Sequence, residues 1–359
     1  ALGAAAKAGA GGAAPVGISD DLQKKIQAIS KDLRKGRKKR KAADEGELAL
    51  ESWKESKSIT LHSSSKPGVT ALDVSPAAPR HIATGGVDKA LHLYDTLDDA
   101  ILAKGTGHSK RITDVNFSAD GATLLSASAD KTVRLWELPT ETGPGASMTE
   151  KLKLSAHTME VVGAAFHPLP ECAASASLDR SWALWDLNAG ALLALVQDAG
   201  AAGGYTCVKF HPDGLLLVTG TSDHLVKIWD VNSQACAACF EGHAAAVTSV
   251  AASENGYHLA SASLDGVVKF WDLRKQHCFK TITAGGDGGV TAISFDPSGR
   301  VLAAGHGSGV GVYSVKGEDD AVANFAGNAA PVTALKWGVG ASSLATASMD
   351  RTVKLYGAE

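Results

Sequence analysis

Cysteine is scarce in this chain. There are five, Cys172, Cys207, Cys236, Cys239 and Cys278, an odd number at irregular spacings. That excludes a disulfide framework and points to a reducing compartment. Long apolar runs are missing too: nothing approaches the ~18–20 uninterrupted apolar residues that cross a bilayer, so a membrane-spanning helix is excluded. The Ala/Gly-rich start, Ala1 to Gly12, has no long apolar segment or cleavage site of a secretory signal. An initiator Met is absent as well, from which the chain is expected to be a portion of a longer protein. Net charge is small, −3 from 35 basic and 38 acidic residues. Membrane, secreted and collagen-like classes are set aside.

What is present is a chain of 359 residues, 45% apolar, enough to bury a large core. The near-neutral total hides an asymmetry. Lys24 to Lys41 holds ten basic residues against the single acid Asp32, a net +9, leaving −12 for everything else. Residues 1–17 read as a flexible linker of Ala, Gly and Pro. Ser19, Asp20 and Asp21 mark a helix start, because their side-chain oxygens accept the free N–H groups of a first turn. Leu22, Ile26, Ile29 and Leu33 follow at spacings of 4, 3 and 4, an apolar stripe of about two heptads. The expected helix spans 18–41 and frays in its basic run, and 42–57 reads as a charged linker with Trp53 as its anchor.

From residue 58 onward the chain repeats. An Asp followed six positions later by an aromatic recurs as Asp88/Tyr94, Asp130/Trp136, Asp179/Trp185, Asp223/Trp229, Asp265/Trp271 and Asp350/Tyr356. The Asp spacings are 42, 49, 44, 42 and then 85, which is two periods around a degenerate unit running from Val290 to Tyr313. Each unit has an alternating strand (Val247 to Val250), a turn such as His211-Pro212-Asp213-Gly214, and a small-residue strand (Leu259 to Ser263). After the Asp turn come a third strand ending in the aromatic and a weaker fourth. Seven such units with Gly-His and Trp-Asp endings carry the signature of WD40 blades. The expected fold is all-β: a seven-bladed WD40 β-propeller over 58–359, preceded by the linker and the short basic helix. The last unit ends after its third strand, so Ser58 to Leu61 is expected to supply the fourth and close the ring.

Candidate chemistry is weighed against this period. His108 with Ser128 and Asp130, His157 with Ser177 and Asp179, and His243 with Ser263 and Asp265 contain the residue types of a nucleophilic triad. They recur with the blade and continue into Trp136, Trp185 and Trp271. That pattern is read as a buried hydrogen-bond chain, Asp to His to Ser to Trp, and no catalytic residue is assigned. Cys236 and Cys239 lack the second pair a structural zinc needs, and Gly305 to Gly309 lacks the following helix a phosphate loop needs, so neither metal nor cofactor is expected. A third reading, an enzyme with its active site in the central channel, lacks a polar constellation unique to one blade. Basic residues follow the turn Asp at Lys89, Lys131, Arg180, His224 and Arg351, and share one rim with Lys110 and Arg111. They are either solvated turn residues or a ring that meets an acidic peptide or a phosphate backbone. The arm Arg34, Lys35, Arg37, Lys38, Lys39, Arg40 and Lys41 reads as a nuclear-localisation signal or an RNA or protein contact, or as a solvated charge run.

Certain linked segments are more specific than the period. They are Leu61-His62-Ser63 with Pro67-Gly68, Phe210 to Leu215, Ser253-Glu254-Asn255-Gly256-Tyr257, Trp271-Asp272-Leu273-Arg274-Lys275 and Met349-Asp350-Arg351. With the degenerate sixth unit and the basic segment ahead of the ring, they resemble the pre-mRNA-processing factor 19 family over roughly residues 20–359. The resemblance implies a nuclear scaffold that docks spliceosomal proteins of the nineteen complex. It also implies a parent protein that tetramerises through an upstream coiled coil, recruits a ubiquitin-conjugating enzyme through a U-box as an E3 ubiquitin-protein ligase, and serves splicing and the DNA-damage response. Neither U-box nor full coiled coil is found here, and a U-box needs no metal. The alternative is a substrate-recognition propeller of an unrelated ubiquitin-ligase or signalling complex.

Overall fold

A computed structural model describes residues 17–40, 50–63, 65, 68–139, 143, 145–284, 288–317 and 321–358. The expected linker, apart from Gly17, lies outside the described residues, as do Lys41 and residues 42–49. Among those described, seven four-stranded antiparallel sheets form the blades of a ring. Blade one runs Val69–Val74, His81–Gly86, Leu91–Asp95 and Ala100–Gly105, here strands a to d from the inside outward. Turns a–b and c–d lie on one face, called lower; turns b–c and the d-to-a loops lie on the other, called upper.

The small residues of strand b have a steric purpose. Each sheet packs on two neighbours, so both faces of strand b are covered, and period-2 alternation disappears there. Ala173, Ala174 and Ala176, Ala260 and Ala262, Ala303 and Ala304, and Ala345 and Ala347 are all buried. The outer strands keep the alternation, as in Ala321–Ala326, because one side faces solvent. On the lower face the a–b turns interlock blade to blade. Gly214 adopts φ 75°, and a Cβ there would fall 2.6 Å from the His167 ring of the preceding blade. His167 Nε2 in turn donates to the Gly214 carbonyl at 2.8 Å.

Ring closure follows the expected route, with a wider boundary. Strand Lys54–Thr60 pairs antiparallel with Thr352–Gly357, placing Ile59 opposite Val353. The strand starts four residues before the expected domain boundary at 58. The segment read as a charged linker also contributes buried Leu50 and Trp53, and the Trp53 ring sits 5.7 Å from that of Trp337. Its charges are on the solvent face of an edge strand, where they do not oppose pairing.

The blades are also laced together from within. Thr70, Thr113, Thr248, Thr291 and Thr333 donate to the carbonyls of Ile112, Val161, Val290, Val332 and Val69 at 2.6–2.7 Å. Each bond joins strand a of one blade to the next, and the last closes blade seven onto blade one. The visible trace is a repeated Val-Thr or Ile-Thr at the start of strand a.

Candidate functional site: the rim of the ring and the basic helix

The buried polar chains come first, because they hold the upper turns in place. His108 Nδ1 donates to Asp130 at 2.8 Å, and His108 Nε2 lies 2.7 Å from the Ser126 hydroxyl. Trp136 Nε1 donates to the same hydroxyl at 2.8 Å. The serine is therefore Ser126, not Ser128. Likewise Ser175 serves His157 and Trp185, and Ser261 serves His243 and Trp271, in place of Ser177 and Ser263. Register explains the correction. Trp136 stands opposite Leu124, so the hydroxyl it reaches is the diagonal neighbour two residues on along the same face. Ser128, Ser177 and Ser263 sit at the strand end and donate to the carbonyls of Arg111, Glu160 and Ala245. They also accept the N–H of Asp130, Asp179 and Asp265.

Each chain is satisfied from end to end: Trp N–H to Ser, Ser O–H to His, His N–H to Asp. Burial opposes the charge on Asp130, but hydrogen bonds from His108, Thr132 and the Ser109 N–H outweigh it, and the carboxyl sits below its usual range. Removing the shared hydroxyl leaves two buried donors or acceptors unpaired, about 1–3 kcal/mol each. Ser126→Ala is therefore expected to destabilise by about 2–4 kcal/mol in denaturant titration, and Ser128→Ala by about half as much, because the Arg111 carbonyl keeps the Ala129 N–H and only the Asp130 N–H is orphaned; equal effects would contradict the assignment.

Blades one and four solve the same problem differently. Blade one uses His62, bound to Asp88 at 2.9 Å and Thr84 at 3.0 Å. Blade four has Ala201 where the His would stand, and buries an ion pair instead, Lys227 Nζ to Asp198 at 2.6 Å. His62 stands 26 residues before Asp88 rather than the 22 of His108, His157 and His243, so spacing alone does not single it out, and no local signal marks Lys227. The inner strands add a second set the sequence did not disclose. Lys336 pairs with Asp73 at 3.0 Å, and Lys209 reaches past blade three to Asn116 at 3.0 Å. These polar groups differ from blade to blade, which corrects the expectation that no blade carries a polar set of its own.

The upper rim carries the residues that follow each turn Asp. Lys89, Lys131, Arg180, His224 and Arg351 have φ of 71°, 73°, 63°, 72° and 75°. This left-handed backbone is disfavoured for any residue with a Cβ, by about 1–2 kcal/mol. Blades five and six place Gly266 and Gly307 at the same position. The Gly305 to Gly309 run is thus the sixth blade's b–c turn, between strands Val301–His306 and Gly309–Ser314. Lys110 and Arg111 lie on the same face, and Arg111 is neutralised by Glu160 at 2.6 Å.

The basic arm is on the other side. The helix Asp20–Arg40 lies on the lower face against blades three and four, with Ile26 fully buried among Leu169, Cys172, Leu217 and Val231. Leu22 and Ile29 pack beside it. Lys25 pairs with Glu171 at 3.0 Å, Arg34 with Asp213 at 2.9 Å, and Arg37 meets the same carboxylate. Helical backbone continues through Arg40, and the Asp213 carboxylate lies against two arginines of the run, Arg34 and Arg37. Arg34 and Arg37 are thereby engaged with the ring, while Lys35 is exposed. The side chains of Lys38, Lys39 and Arg40, and all of Lys41, lie outside the described residues. Cys236 and Cys239 are both exposed on an outer strand. Among the described residues, no group of three or more His, Cys, Asp or Glu could hold a metal ion, and no helix is long and apolar enough to cross a membrane.

Seven closed blades, their polar chains and the Asp turns define a WD40-repeat propeller. In agreement, the family described as WD domain, G-beta repeat matches residues 53–95, 101–137, 148–186, 199–230, 234–272, 276–314 and 320–357. The chain is 40% identical over 350 residues to Pre-mRNA-processing factor 19 homolog 2 of Arabidopsis thaliana, covering 95% of this chain and 64% of that protein. It is 38% identical to Pre-mRNA-processing factor 19 of Bos taurus, over 95% of this chain and 67% of that one. To the Caenorhabditis elegans protein of the same name it is 36% identical, over 95% and 68%. The chain belongs to the pre-mRNA-processing factor 19 family and spans about two thirds of the length of these relatives.

Proposed function

We propose that this propeller is the partner-docking scaffold of a nuclear splicing assembly, the nineteen complex, and that partners meet it on the upper rim. The observation that carries this reading is the placement of the helix. It covers the lower face of blades three and four and engages Arg34 and Arg37, which leaves the rim residues as the basic set of the uncovered upper face. A rigid ring binds through many modest contacts at little ordering cost, and tetramerisation of the parent protein would multiply them. On this reading the E3 ubiquitin-protein ligase activity and the ubiquitin-conjugating enzyme contact belong to a U-box of the parent protein. The role in the DNA-damage response is then a use of that activity. Lys38, Lys39, Arg40 and Lys41 serve nuclear import or an RNA contact.

The test is affinity purification from nuclear extract, paired with imaging in cells, for the intact chain and for Lys38→Ser/Lys39→Ser/Arg40→Ser/Lys41→Ser, which spares the two docked arginines. Both chains are expected to recover splicing proteins from extract, and the variant is expected to lose nuclear accumulation. Recovery of no splicing protein by the intact chain would overturn the proposal.

A further inference from the structure

The upper face is not uniform around the ring. Blades seven, one, two, three and four each present a basic side chain at the tip of the b–c turn: Arg351, Lys89, Lys131, Arg180 and His224. Blades five and six present Gly266 and Gly307 there. The adjoining loops carry no Lys or Arg, with Ala244, Ala245 and Ala246 before blade five, Gly288 and Gly289 after Asp287 before blade six, and Ala329, Ala330 and Pro331 before blade seven. Out of this low sector stands Leu264, 54% exposed. Gly289 lets the next blade approach it closely, since a Cβ there would fall 2.7 Å from the Leu264 Cα. Met159, 49% exposed, is the matching apolar side chain on the basic arc.

Two features show that the arc is available to a ligand. The turn aspartates Asp88, Asp130, Asp179 and Asp350 are already used: Asp130, for one, takes His108, the Ser109 N–H and the Thr132 N–H and hydroxyl. Among the described residues, no ion pair involves Lys89, Lys131, Arg180, His224 or Arg351. Lys89, Lys131, Arg180, His224 and Arg351 thus hold a backbone conformation that glycine would adopt without strain, and Arg180 also donates to the Ala201 carbonyl at 3.2 Å.

We propose that the upper face binds an extended peptide of acidic residues interrupted by a bulky apolar one, with its carboxylates over the arc from Arg351 to His224 and its apolar side chain beside Leu264. The proposal rests on the reading of this face as the docking surface and names the chemistry of its partner. Charge complementarity selects the acidic character, and the one-sided arc with its apolar neighbour selects a mixed sequence over a uniform polyanion. Single-stranded RNA fits less well. Its bases are held by stacking on aromatic rings, and among the described residues the upper turns and loops carry no exposed Phe, Tyr or Trp.

The test uses fluorescein-labelled 12-residue peptides combining four Glu or Asp with two Leu or Phe in varied spacings. The controls are the same peptides with Lys for the acids, and a 12-nucleotide oligouridine. Fluorescence anisotropy is expected to show binding of members of the acidic set, weakened by added salt. Lys131→Gly/Arg180→Gly/His224→Gly, which suits the left-handed turns, is expected to weaken binding at least tenfold without lowering the unfolding temperature. Leu264→Ala is expected to weaken it about fivefold. The proposal falls if no acidic peptide binds, if the triple variant binds as the parent does, or if oligouridine binds more tightly through the same residues. Splicing proteins recovered from extract equally by the parent and the triple variant would leave the scaffold reading standing and overturn this one.

Discussion

Between pH 6.5 and pH 4.5 the ring is expected to lose much of its stability. Three histidines cause this. Burial holds His92, His167 and His211 neutral, with values pulled down to about 4. The neighbouring His62 adds to the effect at His92, and Arg37 and Arg34 add to it at His211. The geometry gives the same answer. His167 accepts the Leu169 N–H at Nδ1 and donates from Nε2 to the Gly214 carbonyl. His211 repeats the arrangement with the Asp213 N–H and the Gly256 carbonyl. A second proton would place one N–H against another.

Because the folded values lie below the ordinary ~6.5, the unfolded chain takes up protons first as pH falls. The contribution is therefore complete above about pH 6.5 and is lost progressively down to the folded value. At pH 5 each histidine removes about 2 kcal/mol, so the three together approach the whole stability of a typical domain. Asp88, Asp130 and Asp179 act in a lower window. Their carboxyls lie below the usual range, so their contribution is present above about pH 4 and is lost only as pH falls further. Thermal unfolding at pH 7, 6 and 5 should show a drop of many degrees, and a midpoint constant from pH 7 to 5 would refute the assignment.

Deleting residues 54–60 should have an equally large effect. The deletion removes buried Ile59, the Lys354 to Glu55 ion pair at 2.7 Å and a six-pair ladder along Thr352–Gly357. One buried aliphatic side chain contributes about 2 kcal/mol and each ladder bond about 1 kcal/mol net, so a loss on the order of 5–8 kcal/mol is expected. The deletion also opens a strand edge on blade seven and should promote association through it. Ile59→Ala isolates the packing part, at about 2–4 kcal/mol. Chemical denaturation and light scattering test both; an unchanged midpoint for the deletion would mean that the ring closes without this strand.

Much of this was readable in advance, for local reasons. A turn Asp, a Gly at a left-handed position and period-2 strands are short-range requirements, so they return with every blade and can be counted. The stripe from Leu22 to Leu33 was equally plain. Ser126 and Ser128 lie two apart on one strand, and alternation gives both the same face, so the pattern alone fits either. Only the register against Trp136 separates them. Edge-strand charges at Lys54, Glu55 and Lys57 resemble a linker, so composition does not separate the start of the strand from the segment before it. The arm looked uniform because composition carries no information about which arginines meet Asp213.

By itself the sequence determined that seven blades follow one another, where each turns, and that a basic helical segment precedes them, since each of these depends on neighbours a few residues apart. Only the tertiary structure decided which hydroxyl completes each chain and which threonines lace the blades. It also decided that Lys227 and Asp198 stand in for a missing histidine, and that Arg34 and Arg37 are held on the lower face. Those outcomes depend on groups brought together across as many as 264 residues, from Val69 to Thr333, and such proximity is created by closing the ring.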